Sequence, residues 1–238
     1  MNPEAEKLLI EQASRYNIAI GSEQAEMLYQ YYEMLIEKNK VMNLTRITEY
    51  EDVVQKHFID SLMISRDVDF SEPLRVLDLG SGAGFPGIPL KIVFPKIRIT
   101  MLDSIGKKMT FVNEVISSLY LQNAEAVHAR AEELAHKKDC REQYDLCVSR
   151  AVANLSSLSE YCLPFVKAGG IFAAYKSDQS TEEIEAADNA IRILGGKIIK
   201  KDTFSLFDSG RTIILIRKIK KTPGKYPRKA GTPVKEPL

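Results

Sequence analysis

The residues with the most chemical content stand together, in Asp78-Leu79-Gly80-Ser81-Gly82-Ala83-Gly84-Phe85-Pro86-Gly87. Glycines at 80, 82 and 84 follow the apolar run Leu74-Arg75-Val76-Leu77-Asp78-Leu79 and precede a helix start at Pro86. A loop without Cβ atoms can bend sharply and lie against a ligand, so the segment predicts a ligand-binding strand-to-helix turn. A tight turn with no ligand is the alternative. Asp103 lies 23 residues after Gly80, at the end of the next apolar run. An acid there accepts hydrogen bonds from ribose hydroxyls in doubly wound nucleotide-binding folds, or caps the helix beyond Gly106.

The loop separates two cofactor classes. A dinucleotide fingerprint is G-x-G-x-x-G with the pyrophosphate on a helix N-terminus; here the spacing is G-x-G-x-G, and Pro86 removes one N–H an anion would use. Asp78 suits a ligand with an amino group and repels a pyrophosphate. S-adenosylmethionine fits and NAD fits poorly.

Elements must hold these residues in place. Ser22 is a candidate N-cap for a helix from Glu23 to Lys40, with Ala25, Leu28, Tyr32, Leu35 and Ile36 on its apolar face. Thr48 with Glu51 predicts a capping box opening a second helix. After Pro73 strands and helices alternate. Strands are expected at Leu74–Leu79, Ile97–Leu102, Ala124–His128, Tyr144–Ser149, Ile171–Tyr175, Lys197–Leu206 and Thr212–Lys218. Helices are expected at Lys107–Leu119, Ser156–Leu163 and Thr181–Leu194. This is an α/β pattern: a doubly wound, mostly parallel seven-stranded sheet behind N-terminal helices. Only Phe207–Arg211 joins the last two strands, too short for a parallel crossover, so the last strand must be antiparallel. The organisation expected is a helical segment over 1–72, a cofactor-binding core over 73–219 and a basic tail over 220–238.

The chain has 238 residues and a formal net charge of +1, which hides an asymmetry. Residues 1–75 carry net −6, 76–210 net −1 and 211–238 net +8. A basic end favours phosphate, because neutralising phosphates releases counterions. Lys220, Lys221, Lys225, Arg228 and Lys229, interleaved with Tyr226, Pro227, Gly231 and Pro233, are therefore candidate RNA contacts, against the plainer reading of a solubilising tail. On that view, deleting 221–238 weakens RNA binding and leaves cofactor affinity intact. No run approaches the roughly 18 apolar residues of a membrane helix, and Met1-Asn2-Pro3-Glu4 lacks signal-peptide character. Cys140, Cys147 and Cys162 form no C-x-x-C pair, so reduced thiols in a cytoplasmic protein are expected. No clustered ligands suggest a metal, and no obligatory protein partner is evident.

Five motifs stand in order: Asn43-Leu44-Thr45-Arg46, His57-Phe58-Ile59-Asp60-Ser61-Leu62, the glycine loop, Ser149-Arg150-Ala151-Val152-Ala153, and Tyr226-Pro227-Arg228-Lys229-Ala230-Gly231-Thr232-Pro233. Together they resemble the bacterial 16S rRNA guanine-N7 methyltransferases, the glucose-inhibited division protein B family. The resemblance implies a class I methyltransferase fold, S-adenosylmethionine as donor, and a guanine of 16S rRNA or the small ribosomal subunit as acceptor. It also implies that Gly80 and Phe85 line the cofactor, that Ala131 and Glu132 flank its adenosine, and that Arg150 closes the site. Asp78, Gly82, Gly84 and Asp103 complete the cofactor candidates.

Guanine N7 has a lone pair and no proton, so its methylation needs no general base. The sequence agrees: it has neither an Asn/Asp-Pro-Pro-aromatic motif after the fourth strand nor a cysteine placed as a nucleophile. Positioning then dominates. Arg150, at a strand end, is the candidate for it, with a salt bridge to a helical acid as the alternative. His57 and Asp60 share a helix face and suit a structural hydrogen bond more than catalysis. A small-molecule methyltransferase and a non-catalytic ribosome-assembly or RNA-binding factor remain as competing readings.

Overall fold

The computed structural model describes residues 2–150, 153–177 and 181–238. Helices α1 (Pro3–Ser14) and α2 (Ser22–Met42) lead into a continuous helical stretch: α3 (Tyr50–Val53), a π-helical segment (Val54–Ile59), α4 (Asp60–Leu62) and a 3-10 turn (Met63–Arg66). Then follow β1 (Arg75–Leu79), α5 (Gly87–Val93), β2 (Arg98–Asp103), α6 (Gly106–Ser118), β3 (Ala124–His128) and α7 (Ala131–Leu134). The chain continues through β4 (Tyr144–Arg150), α8 (Leu155–Cys162), β5 (Val166–Ser177), α9 (Thr181–Ile193), β6 (Gly196–Leu206), β7 (Ser209–Lys218) and α10 (Thr232–Lys235).

One sheet runs in the order β3-β2-β1-β4-β5-β7-β6. β1 lies parallel to β2 and β4, and the outer pairs β2–β3 and β4–β5 are parallel too. β7 is antiparallel to both its neighbours, as the short link from β6 requires. The near-continuous apolar run of β1 is explained by cover on both faces. Val76 belongs to the core shared with residues of α1, α2, α5 and α6, while Leu77 and Leu79 belong to the core shared with residues of α8 and α9.

Several local expectations are corrected. α2 is capped by Gly21, not Ser22: the Gln24 side-chain oxygen accepts from the Gly21 amide at 2.9 Å. The Gln24 amide nitrogen then donates to the Val93 carbonyl at 2.9 Å, satisfying the end of α5 and docking α2 on the sheet. Tyr31, not Tyr32, faces the core; Tyr32 is half-buried and donates to the Thr48 carbonyl. The capping box at Thr48 is absent, because the helix starts at Tyr50 with Glu49 before it and no side-chain cap. α1 had no sequence signal drawn from it, yet Asn2 caps Ala5 at 2.7 Å with Pro3 at the first position.

The tail is not a free strand. Tyr226, Pro227 and Pro233 are buried, and Arg141 on the α7–β4 connection donates to the carbonyls of Thr222, Pro223 and Tyr226. Lys218, buried at the end of β7, donates to the carbonyls of Leu163 and Val166 and to Thr222. Burial lowers its ammonium to about 8, with Glu142 opposing the shift.

Candidate active site

The glycine loop leaves β1 and folds back over it. Gly80, Gly82 and Gly84 have φ of 75°, 61° and 107°. At Gly84 the requirement is steric as well: a Cβ would stand 2.6 Å from Ile88 and 3.0 Å from the Tyr31 hydroxyl. That hydroxyl donates to the Ala83 carbonyl at 2.7 Å, so α2 braces the loop from behind.

Six of the loop amides are spent internally. Gly80 and Ser81 donate to the Leu102 carbonyl, Gly84 and Phe85 to the Ser81 carbonyl, Gly82 to Asp103 at 3.0 Å and Gly87 to Asp78 at 2.9 Å. A pyrophosphate cradle needs such amides free, so the geometry disfavours a dinucleotide on this loop. What the loop offers is an edge to a cavity of about 430 Å³ lined by Leu79, Gly80, Leu102, Asp103, Ala131 and Glu132, among others. Two carboxylates beside apolar walls fit a nucleoside: hydroxyls for the acids and a flat base for the aliphatic side chains.

Of the nine cofactor candidates, Gly80, Asp103, Ala131 and Glu132 line this cavity. Asp103 reaches the cavity, and its second oxygen accepts from the Ile105 amide at 2.9 Å, ahead of α6, whose own N-cap, Ile105, has no side-chain cap bond. Asp78 does not line this cavity; it supports the loop from beneath through the Gly87 amide. It is fully buried beneath the loop, and burial pushes its carboxyl up to about 7, opposed by the Ser81 hydroxyl, the Gly87 amide and Arg150. Gly82 and Gly84 shape the loop rather than line the cavity.

Phe85 and Arg150 do not line this cavity; Arg150 lines a second cleft, with the Phe85 ring packed beneath its guanidinium. Phe85 is buried and stacks under His57 at 4.6 Å between ring centres, with Tyr31 and Phe58 around it. The Arg150 guanidinium lies 5.2 Å over the Phe85 ring and pairs with Asp60 at 2.7 Å. The salt bridge to a helical acid is thus present. Asp60 is also held by Arg211 at 3.0 Å, so one carboxylate, 8% exposed, sits between two guanidinium groups. His57 bonds Thr45 at 2.9 Å, which joins two of the five motifs. Burial first, then the Arg150 charge, lowers its imidazole to about 4.

The second cleft, about 540 Å³, is lined by His57, Asp60, Arg150, Tyr175, Lys176 and Arg211, among others. It lies at the carboxyl ends of β4 and β5, where doubly wound sheets bind ligands. Tyr175, Lys176 and Arg211 carried no sequence signal, because they gather from separate strands. Ala151 and Val152 of the fourth motif lie outside the described residues.

The tail candidates divide. Lys220, Lys221, Lys225 and Lys229 are exposed. Arg228 is corrected: its guanidinium is bidentate on the fully buried Glu160, at 2.7 Å and 3.0 Å, so its charge is neutralised inside the protein. The lone acid of α8, in Leu155-Ser156-Ser157-Leu158-Ser159-Glu160, was the available signal that a cation must come to it.

The model of the family described as rRNA small subunit methyltransferase G matches residues 24–208. The chain is 52% identical over 221 residues to the ribosomal RNA small subunit methyltransferase G of Lachnoclostridium phytofermentans, covering 92% of this chain and 91% of that one. The protein of the same name from Bacillus pumilus is 48% identical over 223 residues, 93% of each chain. Among solved structures, M. jannaschii TYW2 in complex with AdoMet aligns with a TM-score of 0.53 at 14% identity, over 67% of this chain and 77% of that one. TrmN from Thermus thermophilus aligns with a TM-score of 0.52 at 14% identity, over 68% of this chain and 48% of that one. The structural likeness carries the fold. With most of the chain matched by the family model and half its residues shared with a relative of nearly equal length, the chain belongs to the rRNA small subunit methyltransferase G family.

Proposed function

We propose that the protein transfers a methyl group from S-adenosylmethionine to N7 of a guanine in 16S rRNA. Family membership supports the ribosomal RNA substrate, and the sequence resemblance supports the guanine. The observation that carries the cofactor is the glycine loop, six of whose amides are satisfied internally while its edge borders a cavity with Asp103 and Glu132 on one side.

S-adenosylmethionine supplies a methyl group on a sulfonium that already carries its leaving group. The protein's task is to hold and orient. Asp103 would accept from ribose hydroxyls with the lone pairs that Gly82 and Ile105 leave free, and Leu79, Leu102 and Ala131 would give an adenine its apolar walls. Gly80, without a side chain, lets the backbone approach.

The second cleft receives the guanine. His57, neutral at physiological pH, and Arg150, fixed by Asp60, form its polar wall beside the loop. Arginine that gripped O6 and N7 together would block the acceptor. Arg150 therefore contacts O6, a phosphate or the cofactor carboxylate, and orients N7 without touching it. No group need remove a proton, and the rate enhancement comes from in-line placement in a pocket with few waters. The exposed Lys220, Lys221, Lys225 and Lys229 serve the RNA backbone.

The test is tritium transfer from labelled S-adenosylmethionine to 16S rRNA, naked or in 30S particles. Label in the RNA is expected. Label only in small molecules would favour a small-molecule methyltransferase, and cofactor binding without transfer a non-catalytic assembly factor.

A further inference from the structure

The nucleoside cavity has a wall that comes from the far end of the chain. Val234, on α10, lines it together with Tyr161 of α8 and the Ala131–Glu132 pair. Val234 is an apolar side chain left 55% exposed at the cavity rim. The contacts holding it there are specific. The Gly231 amide donates to Glu132, itself a cavity residue, at 3.2 Å. The Pro233 carbonyl accepts from Ser157 at 2.6 Å, and the Leu238 carbonyl from Ser156 at 3.0 Å. Arg228 clamps the same segment to Glu160. Lys225, Lys229 and Lys235 point to solvent from it.

We infer that Val234 is an adenosine-contact residue and that the segment 226–238 couples cofactor binding to RNA binding. An adenosine in the cavity covers Val234, which removes apolar surface from water only while α10 is docked. Bound adenosine therefore favours the docked tail. RNA phosphates engage lysines that the docked tail holds in place, and favour the same state. Two ligands that favour one state of a shared element bind with positive, reciprocal coupling. This replaces the expectation that the tail can be removed without loss of cofactor affinity. The RNA half rests on the function proposed above; the cofactor half stands on the cavity alone.

Calorimetry with S-adenosylhomocysteine on the full chain tests the cofactor half. Val234→Asp, at an exposed position, is expected to weaken binding at least tenfold with an unchanged thermal midpoint. Val234→Ile, which keeps the apolar contact, should recover most of that loss. Equal affinity in Val234→Asp and wild type would overturn the assignment. For the coupling, affinity for a 16S rRNA fragment is measured with and without saturating S-adenosylhomocysteine. Wild type is expected to bind several-fold tighter with it, and Val234→Asp to lose that gain. A wild-type RNA affinity indifferent to the cofactor product overturns the coupling. Absence of any RNA binding by wild type overturns the functional reading, with the calorimetric result still standing.

Discussion

His57 shows how far a residue's surroundings reset its chemistry. An imidazole near neutral pH suggests proton transfer, but this one is buried between Thr45, Phe85 and the Arg150 guanidinium, which favour its neutral form. With its value near 4 in the native state, the folded protein binds fewer protons here than the unfolded chain between pH 4 and the usual 6.5. His57 thus makes stability rise with pH across that window. Asp78 acts in the opposite sense. Its carboxyl, near 7 when folded and 3.8 ordinarily, binds more protons in the native state, so its contribution falls as pH rises from about 4 to 7. The two partly cancel, and a global unfolding curve would conceal both. NMR resolves the first: the His57 ring signals are predicted to titrate with a midpoint near 4, and a midpoint at 6.5 or above would contradict a neutral imidazole in the second cleft.

At the scale of elements, α8 and the tail depend on each other. Glu160 is fully buried, and Arg228 supplies three of its hydrogen bonds from the guanidinium and one from the backbone amide. Arg228→Ala leaves that carboxylate buried without a counter-charge, at a cost of about 3 kcal/mol. Adding Glu160→Gln to the same chain should recover part of it. Urea midpoints for the two proteins check this, and a loss below about 0.5 kcal/mol, the range of an ordinary surface change, would mean the pair is not what holds the tail. The strands and the antiparallel turn were legible because alternation, apolar runs and a short link leave few topologies. The tail's packing was not, because counting charges along 211–238 gives no partner for any of them. Arg211 belongs to Asp60, Lys218 to Glu142 and Arg228 to Glu160. The glycine loop was legible from its spacing, while Asp78's place beneath it needed the fold. The second cleft was illegible for a different reason: its residues come from the π-helical segment, α4 and three strands, and no local pattern records that convergence.

The whole molecule divides its work across one sheet. The edge by β1, β2 and β3 carries the nucleoside cavity, and the carboxyl ends of β4 and β5 carry the second cleft. The Arg150 guanidinium over Phe85 stands where the glycine loop meets that cleft. N-terminal helices brace the loop through Tyr31 and supply His57 and Asp60, so the acidic front of the chain is part of the site's architecture. The basic end is partly consumed in ion pairs, with Lys220, Lys221, Lys225 and Lys229 left exposed. That arrangement suits the methyl transfer proposed above, in which nothing needs deprotonating and everything needs aligning. The most direct test is nucleoside analysis of 16S rRNA after reaction with the protein and S-adenosylmethionine. The account predicts 7-methylguanosine as the new methylated nucleoside; a methyl group on an exocyclic amine, a pyrimidine carbon or a ribose oxygen would contradict it.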